Sequence, residues 1–518
     1  MEAPTKGTFR LAGREFPRVT WYKDPGMRRN YIVLMFVVLT SATNGYDGSM
    51  VNGLQALDPW KEYFDYPKGS LLGLFSCIMA VGSLCALPIT PYIADGLGRR
   101  MGILAGCCIM MLGVVLQSIS INFRMFIAAR FFLGFGVSIA HGASPLLITE
   151  LTHPQHRAIF TTIYNTTWYV GSIIAAWLTF GTNQIGNNWS WRIPSIVQAA
   201  PSLVQIFFIW FVDESPRWYI RHGKEEKALE ILARVHANGN ADDEVVQLEM
   251  DEIKDTLRLE REFESSGWPE LWRTPGNRHR LIILLTAGLF SQWSGNGLVS
   301  YYINLVLDGV GVTNSNTQLI INGILQICNA IVAITQCFFV DKVGRRVLFL
   351  ISTAGMLCVF IVWTICSAQY DKTKSAGAGR AVIAMIFLYY VFYNVAWSGL
   401  LVGYCVEILP YNIRAKGLTM VFLMVNVALM FNQYVNPIAL GNIGWKYYIV
   451  YCAWLGVELA VVWKFYIETR HTPLEEIAKH FDGESAMLGG AVASEKGRAF
   501  QVDHEDEKND TRIEHREV

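Results

Sequence analysis

Long apolar runs dominate the sequence and constrain its fold more than any other feature. Twelve of them approach the length of about 20 residues that an α-helix needs to cross the core of a bilayer. Only 17% of the residues are charged, against about 25% in an average soluble chain. We therefore predict an all-α membrane protein with twelve transmembrane helices in two groups of six. These predicted spans, 1 to 12, lie near residues 30–56, 71–93, 101–121, 125–149, 158–182, 193–212, 280–306, 317–340, 346–367, 381–408, 417–440 and 446–467.

The charges indicate topology rather than a charged partner. The 43 basic and 43 acidic residues cancel, so no global field favours nucleic acid. Residues 1–29 are basic and lack the apolar core of a secretory signal. If this tail is cytoplasmic, the positive-inside rule is obeyed and both termini face the cytoplasm. The basic residues of the inner loops are then Arg99, Arg100, Arg157, Lys342, Arg345, Arg346, Arg414 and Lys416.

A polar gap after span 6 divides the chain. We expect a cytoplasmic tail (1–29), a six-helix bundle (30–212), a cytoplasmic linker (213–279), a second six-helix bundle (280–467) and a cytoplasmic C-terminal tail (468–518). In the linker, Ser215 and Pro216 are typical of a helix cap and first turn. Amphipathic helices are expected near 217–236 and 242–263. Residues after about 482 are too polar to predict packed structure.

The two bundles repeat each other. Asp95-Gly-Leu-Gly-Arg-Arg100 follows span 2, and Asp341-Lys-Val-Gly-Arg-Arg346 follows span 8, a shift of 246 residues (341 − 95). Glu150 and Arg157 follow span 4, and Glu407 and Arg414 follow span 10, a shift of 257 (407 − 150). Two different motifs at nearly one offset indicate duplication. Duplicated six-helix bundles build the major facilitator fold, with a solute site at mid-membrane between the halves.

These motifs resemble a known family. Together with Glu214-Ser-Pro-Arg-Trp218 and Glu468-Thr-Arg-His-Thr-Pro-Leu-Glu-Glu476, they are similar to the sugar porter branch of the major facilitator superfamily. Asn44-Gly-Tyr-Asp-Gly-Ser49, Gln292-Trp-Ser-Gly-Asn-Gly297 and Phe431-Asn-Gln-Tyr-Val-Asn-Pro437 resemble fungal lactose permease-type and hexose transporters. The resemblance implies transport of a disaccharide or a hexose by alternating access, at the plasma membrane. We expect no cofactor, no metal and no obligate protein partner.

The shared charged motifs predict a gate at the inner face. Guanidinium groups and carboxylates at helix ends there can pair in one conformation and separate in the other. The alternative is that the arginines only set topology. The candidate gating residues are Asp95, Arg99, Arg100, Glu150, Arg157, Glu214, Arg217, Asp341, Arg345, Arg346, Glu407, Arg414 and Glu468.

Asp47 in span 1 and Arg130 in span 4 are charges inside the membrane. Helix rise places both in the outer half of the bilayer, so we expect them to compensate each other. The resemblance implies proton coupling, since proton-coupled sugar porters carry an acid at this position. A permanent structural ion pair is the alternative.

Amide side chains within the spans predict the solute site. Gln292 and Asn296 are four residues apart on span 7, hence on one helical face, and amides offer donors and acceptors to hydroxyl groups. Gly295 and Gly297 suggest a broken helix beside a cavity. By resemblance we add Asn165, Asn329 and Trp397. Trp397 is an imperfect substitute for the family's tryptophan that stacks on the sugar, because the usual Pro-Ile-Pro-Trp stretch is replaced by Gly399-Leu-Leu-Val402. Interhelical hydrogen bonding is the competing explanation for each amide.

Other functions remain open at this point. A sugar sensor that does not transport, a facilitative uniporter, or an exporter of another polyol-like metabolite would share most motifs. The soluble segments contain no catalytic constellation, so an enzyme is not expected. His141 and Glu458 are further ionisable residues in the membrane, and we interpret them as packed polar residues. Asn188, in the sequon Asn188-Trp-Ser190, is the glycosylation candidate in an outer loop.

Overall fold

The computed structural model describes residues 8–11, 14–264, 267–337, 343–470, 472 and 474–482. The predicted polar tail after residue 482 lies outside this part of the chain. Helices dominate the described residues, as expected for an all-α membrane protein. The one sheet among them is a two-stranded antiparallel hairpin near the N-terminus, β1 (Thr8–Leu11) and β2 (Arg14–Pro17).

The N-terminal half contains spans 1 to 6. Asp24 caps the first helix by accepting a hydrogen bond of 3.0 Å from the Met27 amide. Span 2 bends by 48° next to Pro88 and Pro91, because proline cannot donate a helical hydrogen bond. The helices are α1 (Pro25–Ala56), the short α2 (Asp58–Tyr63), α3 (Ser70–Ala86), α4 (Thr90–Gly96), α5 (Arg99–Ser118), α6 (Phe123–Leu151), α7 (Arg157–Asn183), α8 (Trp189–Val197) and α9 (Ala199–Phe208).

The described part of the linker forms four helices rather than the two expected. The predicted cap at Ser215 is confirmed, since its hydroxyl accepts a hydrogen bond of 3.2 Å from the Trp218 amide. The first helix ends early because Gly223 adopts a positive φ of 71°. The linker helices are α10 (Pro216–Arg221), α11 (Glu225–His236), α12 (Glu244–Glu264) and the short α13 (Glu270–Arg273).

The C-terminal half contains spans 7 to 12 and a helix in the tail. Span 7 is broken into two helices, as the glycines predicted, and span 10 is broken as well. The helices are α14 (Pro275–Trp293), α15 (Asn296–Asp308), α16 (Ser315–Cys337), α17 (Arg345–Thr373), α18 (Ala376–Ala396), α19 (Leu401–Ile408), α20 (Tyr411–Ile443), α21 (Tyr447–Phe465) and α22 (Leu474–Asp482).

Length and hydropathy alone recover fewer spans than twelve. Eight helices of the described chain are both long enough and apolar enough to cross a membrane, or nine when the bent α3–α4 pair is counted as one span. Spans 11 and 12 are counted there as one stretch, Ile413–Phe465, although α20 and α21 are separate helices. The stretches that pass do not include α1 and α7, whose sequences carry many polar residues. Each of the twelve predicted spans nevertheless corresponds to a long or broken helix.

The two halves meet through hydrogen bonds at the outer end of the molecule. The Asn52 amide in α1 donates to the Ser300 carbonyl in α15 at 2.6 Å. Asn304 of α15 donates back to the Asn52 carbonyl at 2.6 Å. Gln55 donates to the Tyr301 carbonyl at 3.0 Å. These bonds close the outer side between spans 1 and 7.

A glycine allows a second outer contact between the halves. Gly73 in α3 lies so close to the backbone of Tyr434 in α20 that a Cβ atom would overlap it. On the opposite side, Asn183 of α7 donates to Asn316 of α16 at 2.9 Å. The halves are therefore held together on both flanks of the outer face.

The cytoplasmic segments pack on the N-terminal half. Asn238, which follows α11, donates to Asp24 at 2.6 Å and accepts from the Gly26 amide at 2.8 Å. Gln155, between α6 and α7, bonds both backbone groups of Val19. The N-terminal tail, the loop after span 4 and the linker thus form one assembly at the inner face. The hairpin within it was not expected from sequence.

Candidate coupling and solute sites

Asp47 is fully buried in α1 and its environment differs from the expected one. One carboxyl oxygen accepts a hydrogen bond from the Gln198 amide of span 6, and the other has no partner. No nitrogen of Arg130 lies within 4.0 Å of it, although the two charges interact at longer range. The two residues therefore form no direct ion pair in this conformation, and their role in proton coupling stays a prediction.

Arg130 has partners of a different kind. Its guanidinium carbon lies 4.8 Å from the centre of the Phe75 ring, and one terminal nitrogen lies 3.5 Å from the Met79 sulfur. Its Nε atom has no hydrogen-bond partner. An arginine held by an aromatic face and a sulfur atom retains the capacity to pair with a carboxylate.

The two amides of span 7 do not share a helical face. Gln292 is in the last turn of α14, whereas Asn296 begins α15, and Gly295 between them has a φ of 102°. The helix is interrupted there, so the four-residue spacing does not apply. Gln292 is half-buried, and its amide makes a long contact of 3.5 Å to Ser291.

Asn296 is buried and partly satisfied. Its amide nitrogen donates to the Tyr393 hydroxyl at 3.0 Å, and its amide oxygen has no partner. The unpaired oxygen is enclosed in this conformation, and its role as an acceptor for a solute stays a prediction.

Asn329 belongs to a polar network that joins the halves at mid-membrane. Its amide oxygen accepts from Asn394 at 3.1 Å. The oxygen of Asn394 accepts in turn from the Tyr169 hydroxyl of α7 at 3.2 Å. Close by, Ser172 of α7 donates to Gln326 of α16 at 3.0 Å. These contacts connect spans 5, 8 and 10 across the interface.

Asn165 and Trp397 lie in contrasting surroundings. Asn165, on α7, has an exposed side chain. Trp397 is 1% exposed, donates to Thr353 at 3.2 Å and packs against Phe349 in the core of the C-terminal half. In this conformation the indole of Trp397 contacts protein, and its expected stacking on a solute stays a prediction.

At the inner face of the N-terminal half, the predicted charges form a network around a glycine turn. Arg99 contacts Glu150 at 3.2 Å and Asp95 at 3.3 Å. Glu214 accepts from the backbone amides of Arg99 and Arg100 at 2.9 and 3.1 Å. Burial raises the pKa of the Glu214 carboxyl above its ordinary value, and the hydrogen bonds from those amides offset this rise only in part. The approach is close because Gly98, with a φ of 104°, carries no Cβ.

The C-terminal half repeats this geometry. Arg345 pairs with Glu407 at 3.0 Å, and Glu468 accepts from the backbone amides of Arg345 and Arg346 at 2.8 and 3.1 Å. Gly344 has a φ of 103°, almost equal to that of Gly98. Asp341 lies outside the described residues. Each ion pair seen here connects residues of one half, so a gate between the halves stays a prediction.

The remaining gating candidates have separate partners. Arg157 pairs with Glu249 of α12 at 2.8 Å rather than with Glu150. Arg217 pairs with Glu260, also of α12. Arg414 donates to the Leu409 carbonyl at 3.1 Å. Arg157 therefore attaches the linker to the membrane bundle in this conformation, whereas Arg217 joins α10 to α12 within the linker.

A buried histidine cluster adjoins Arg157 in the cytoplasmic assembly. His236 contacts Glu249 at 2.5 Å, and the His153 and His236 rings are 5.1 Å apart. Burial opposes ionisation of Glu249, but His236 and Arg157 outweigh it and hold the pKa of that carboxyl below its ordinary value. Burial and the neighbouring positive charges lower the pKa of His153 to about 3.

Three other sequence candidates can be placed. The His141 ring bonds the Tyr164 hydroxyl at 2.8 Å. Glu458 is fully buried within the C-terminal half. His141 therefore has the hydrogen bond expected of a packed polar residue, whereas neither carboxyl oxygen of Glu458 has a partner, so the interpretation of Glu458 stays a prediction. Asn188 is exposed at the outer end of span 6, while the hydroxyl of Ser190 in the same sequon is buried.

Sequence reasoning missed Gln198, Tyr169, Gln326 and Asn394. Each is a polar side chain within an apolar span, which is a detectable signal. Many such residues occur in this chain, and only the packing of the helices shows which of them meet.

A duplicated pair of six-helix bundles with matching inner-face networks defines a membrane protein of the major facilitator fold. The chain belongs to the Sugar (and other) transporter family, whose match covers residues 33–481.

Relatives include a high-affinity glucose transporter of Kluyveromyces lactis, 27% identical over 88% of this chain and 86% of the relative. A quinate permease of Neurospora africana is 29% identical over 75% of this chain and 77% of the relative. Among solved structures, the inward open conformation of the xylose transporter XylE from E. coli matches with a TM-score of 0.73 and 21% identity, over 87% of this chain and 99% of that one.

Proposed function

We propose that this protein carries a sugar across the plasma membrane by alternating access and in symport with a proton. The proposal of proton coupling rests on Asp47. While the outer side is closed, its buried carboxyl accepts a hydrogen bond from Gln198 and makes no ion pair with Arg130. Family membership and the amides at the interface support a polyhydroxylated solute.

The cycle follows from the energetics of that acid. When the outer side is open, water can reach Asp47, and Arg130 stabilises its ionised form. Protonation removes the attraction to Arg130. The neutral acid can then be buried on Gln198 without the cost of an unpaired charge, and the outer contacts between α1 and α15 can form. Opening to the cytoplasm releases the solute and the proton.

The broken span 7 supplies the outer gate. Its outer segment, α15, presents the carbonyls of Ser300 and Tyr301 to amides of α1. Gln292 and Asn296 lie on either side of the break, where a bound solute can draw the outer segment inward. The solute would then lie between this break and the network of Asn329, with Asn165 on the facing side. Trp397 would contribute only after a rearrangement of the core.

The inner-face networks would control the opposite side. In the outward-facing state the two halves approach each other at the cytoplasmic end, and the carboxylates near Arg99 and Arg345 become able to pair across the interface. In the present conformation these groups are satisfied within each half. The ion pair of Arg157 with Glu249 of α12 would carry the linker along with the N-terminal half, and the pair of Arg217 with α12 would hold two linker helices together.

The relatives named as glucose transporters and quinate permeases indicate a hexose or a similar cyclic polyol as substrate. A disaccharide such as lactose or cellobiose is the other candidate, and the resemblance of the sequence motifs to lactose permease-type transporters favours it. The two differ in size, so a panel of solutes distinguishes them.

The test is uptake by a yeast strain that lacks its own sugar transporters. Labelled glucose, galactose, xylose, lactose, cellobiose, maltose, quinate and inositol are offered with and without a proton uncoupler. Uphill accumulation of a sugar that the uncoupler abolishes supports symport. Downhill uptake alone would make the protein a uniporter, and no uptake of any compound would favour a sensor that does not transport.

A further inference from the structure

A cavity lies at the outer face, to one side of the contact between α1 and α15. It has a volume of about 710 Å³. Sites for small molecules usually measure about 300–1,000 Å³. Its walls come from α1, α2 and α3 of the N-terminal half and from α15, α17, α20 and α21 of the C-terminal half. A molecule bound here would touch both halves.

Three buried polar atoms without partners belong to residues that line this cavity. They are the Nε1 donor of Trp60, the Oε1 acceptor of Gln55 and the hydroxyl of Ser367. These side chains are 1%, 6% and 4% exposed. Buried polar atoms are normally satisfied, and each unsatisfied one has a cost. All three atoms are enclosed in this conformation, so they would reach a ligand only after their side chains rotate toward the cavity; they would then supply a donor, an acceptor and a group that can do both, which suits hydroxyl groups.

The remaining wall favours an uncharged ligand with apolar ring faces. The aromatic side chains Tyr66, Tyr448 and Trp445 line the cavity with Trp60. Three aspartates and three lysines also line it, so their formal charges cancel; they are Asp58, Asp308, Asp371, Lys61, Lys68 and Lys446. The aspartates already have partners.

Each of these three carboxylates already has a partner, so none of them favours a cationic ligand. Asp58 pairs with Lys61 at 3.2 Å, and Asp371 pairs with Lys374 at 3.1 Å. Asp308 accepts from Gln318 at 2.7 Å. A charged ligand would have to displace these contacts, whereas a neutral polyol would not.

We propose that this cavity is a second binding site for an uncharged sugar, filled from outside while the outer gate is closed. The inference rests on the proposed transport of sugar. A ligand that contacts both halves in this state stabilises it relative to the outward-facing state. Return of the empty carrier then slows, and uptake falls when external sugar is high.

The experiment measures sugar binding and uptake with the full-length protein. Equilibrium dialysis of the purified protein, with the labelled sugar that it transports, should give two molecules bound per chain. Ser367→Leu places a larger side chain in the cavity and should reduce this to one. In cells, the wild-type rate should rise with external sugar and then decline, and Ser367→Leu should remove the decline.

Milder variants guard against misfolding. Trp60→Phe and Ser367→Ala each remove one hydrogen bond, so the inhibitory concentration should rise about 2- to 13-fold with the half-saturating concentration unchanged. Trp463→Phe is the matched control, because this tryptophan is 67% exposed on α21 and far from the cavity. It should change neither constant.

The outcomes separate this inference from the function on which it rests. One sugar bound per wild-type chain, or inhibition that survives Ser367→Leu, would overturn the second site and leave transport intact. Absence of uptake for every solute of the panel would instead refute the proposed function.

Discussion

Replacing Asp47 by asparagine tests the coupling mechanism directly. The substitution keeps the shape and the acceptor oxygen that receives the Gln198 hydrogen bond, and it changes only the oxygen that has no partner. We therefore expect the variant to fold and to reach the membrane. Asparagine cannot take up or release a proton, so sugar movement should continue without proton movement.

The expected magnitude follows from the driving force. A membrane potential supplies about 2.3 kcal/mol per charge per 100 mV, enough to concentrate a neutral sugar about 50-fold when one proton accompanies it. The wild type should approach this ratio of internal to external sugar, and Asp47→Asn should level at about one. Exchange of sugar down its gradient should continue in part, since the introduced amide imitates the protonated acid.

The assay is the steady-state ratio of internal to external sugar, together with alkalinisation of the medium on addition of sugar. Asp65→Asn is the control, because Asp65 is exposed in an outer loop with a φ of 58°, a conformation that asparagine tolerates. Accumulation above the external level by Asp47→Asn would refute the reasoning. Asp47 would then be a structural polar residue, and the proton would bind elsewhere.

Four further perturbations test other parts of the structure. Arg99→Glu should abolish uptake while the protein still reaches the surface. The double variant Arg99→Glu with Glu150→Arg should recover part of the uptake. Unchanged uptake in the single variant would mean that Arg99 only sets the topology. Gln292→Ala should raise the half-saturating sugar concentration about 2- to 13-fold, with Trp463→Phe as control, and equal effects of both would indicate packing rather than recognition. Gly98→Ala should destabilise the protein by about 1–3 kcal/mol, measured as a lower melting temperature, because the φ of 104° disfavours a side chain and Glu214 occupies the space. Gly96→Ala is the control and should leave the melting temperature nearly unchanged, because Gly96 faces open space. His153 has an ordinary pKa of 6.5 and a pKa of about 3 in the folded protein, so between these pH values only the unfolded state binds the proton. The folded state should therefore lose up to about 1.4 kcal/mol of stability per pH unit below 6.5. His153→Gln should make the melting temperature less dependent on pH between 7 and 5, and an unchanged dependence would contradict the assignment.

Much of the architecture could be predicted from sequence because the bilayer imposes local requirements. A span needs a run of apolar residues, and a cap such as Ser215 acts within one turn. The duplication was visible because both copies of the Gly-Arg-Arg motif serve the same turn. Gly98 and Gly344 need a conformation that residues with a Cβ avoid, so the two turns have nearly equal φ values.

The sites depended on contacts between helices that are distant in sequence. Gln292 and Asn296 seemed to share a face because a continuous helix was assumed for their spacing, and one positive φ at Gly295 separates them. The partner of Arg157 lies 92 residues further along the chain, in a linker helix whose docking no local pattern indicates.

What the sequence determined by itself was the order of the apolar spans, the duplication, the charged turns at the inner face and the presence of an acid and an arginine within the apolar spans. Only the tertiary structure decided that Asp47 bonds Gln198 while Arg130 lies on Phe75, and that the outer ends of the halves are closed around a cavity. The physical reason is that a span requires only hydrophobicity along one segment. The partner of a buried charge depends on which conformation brings two segments together.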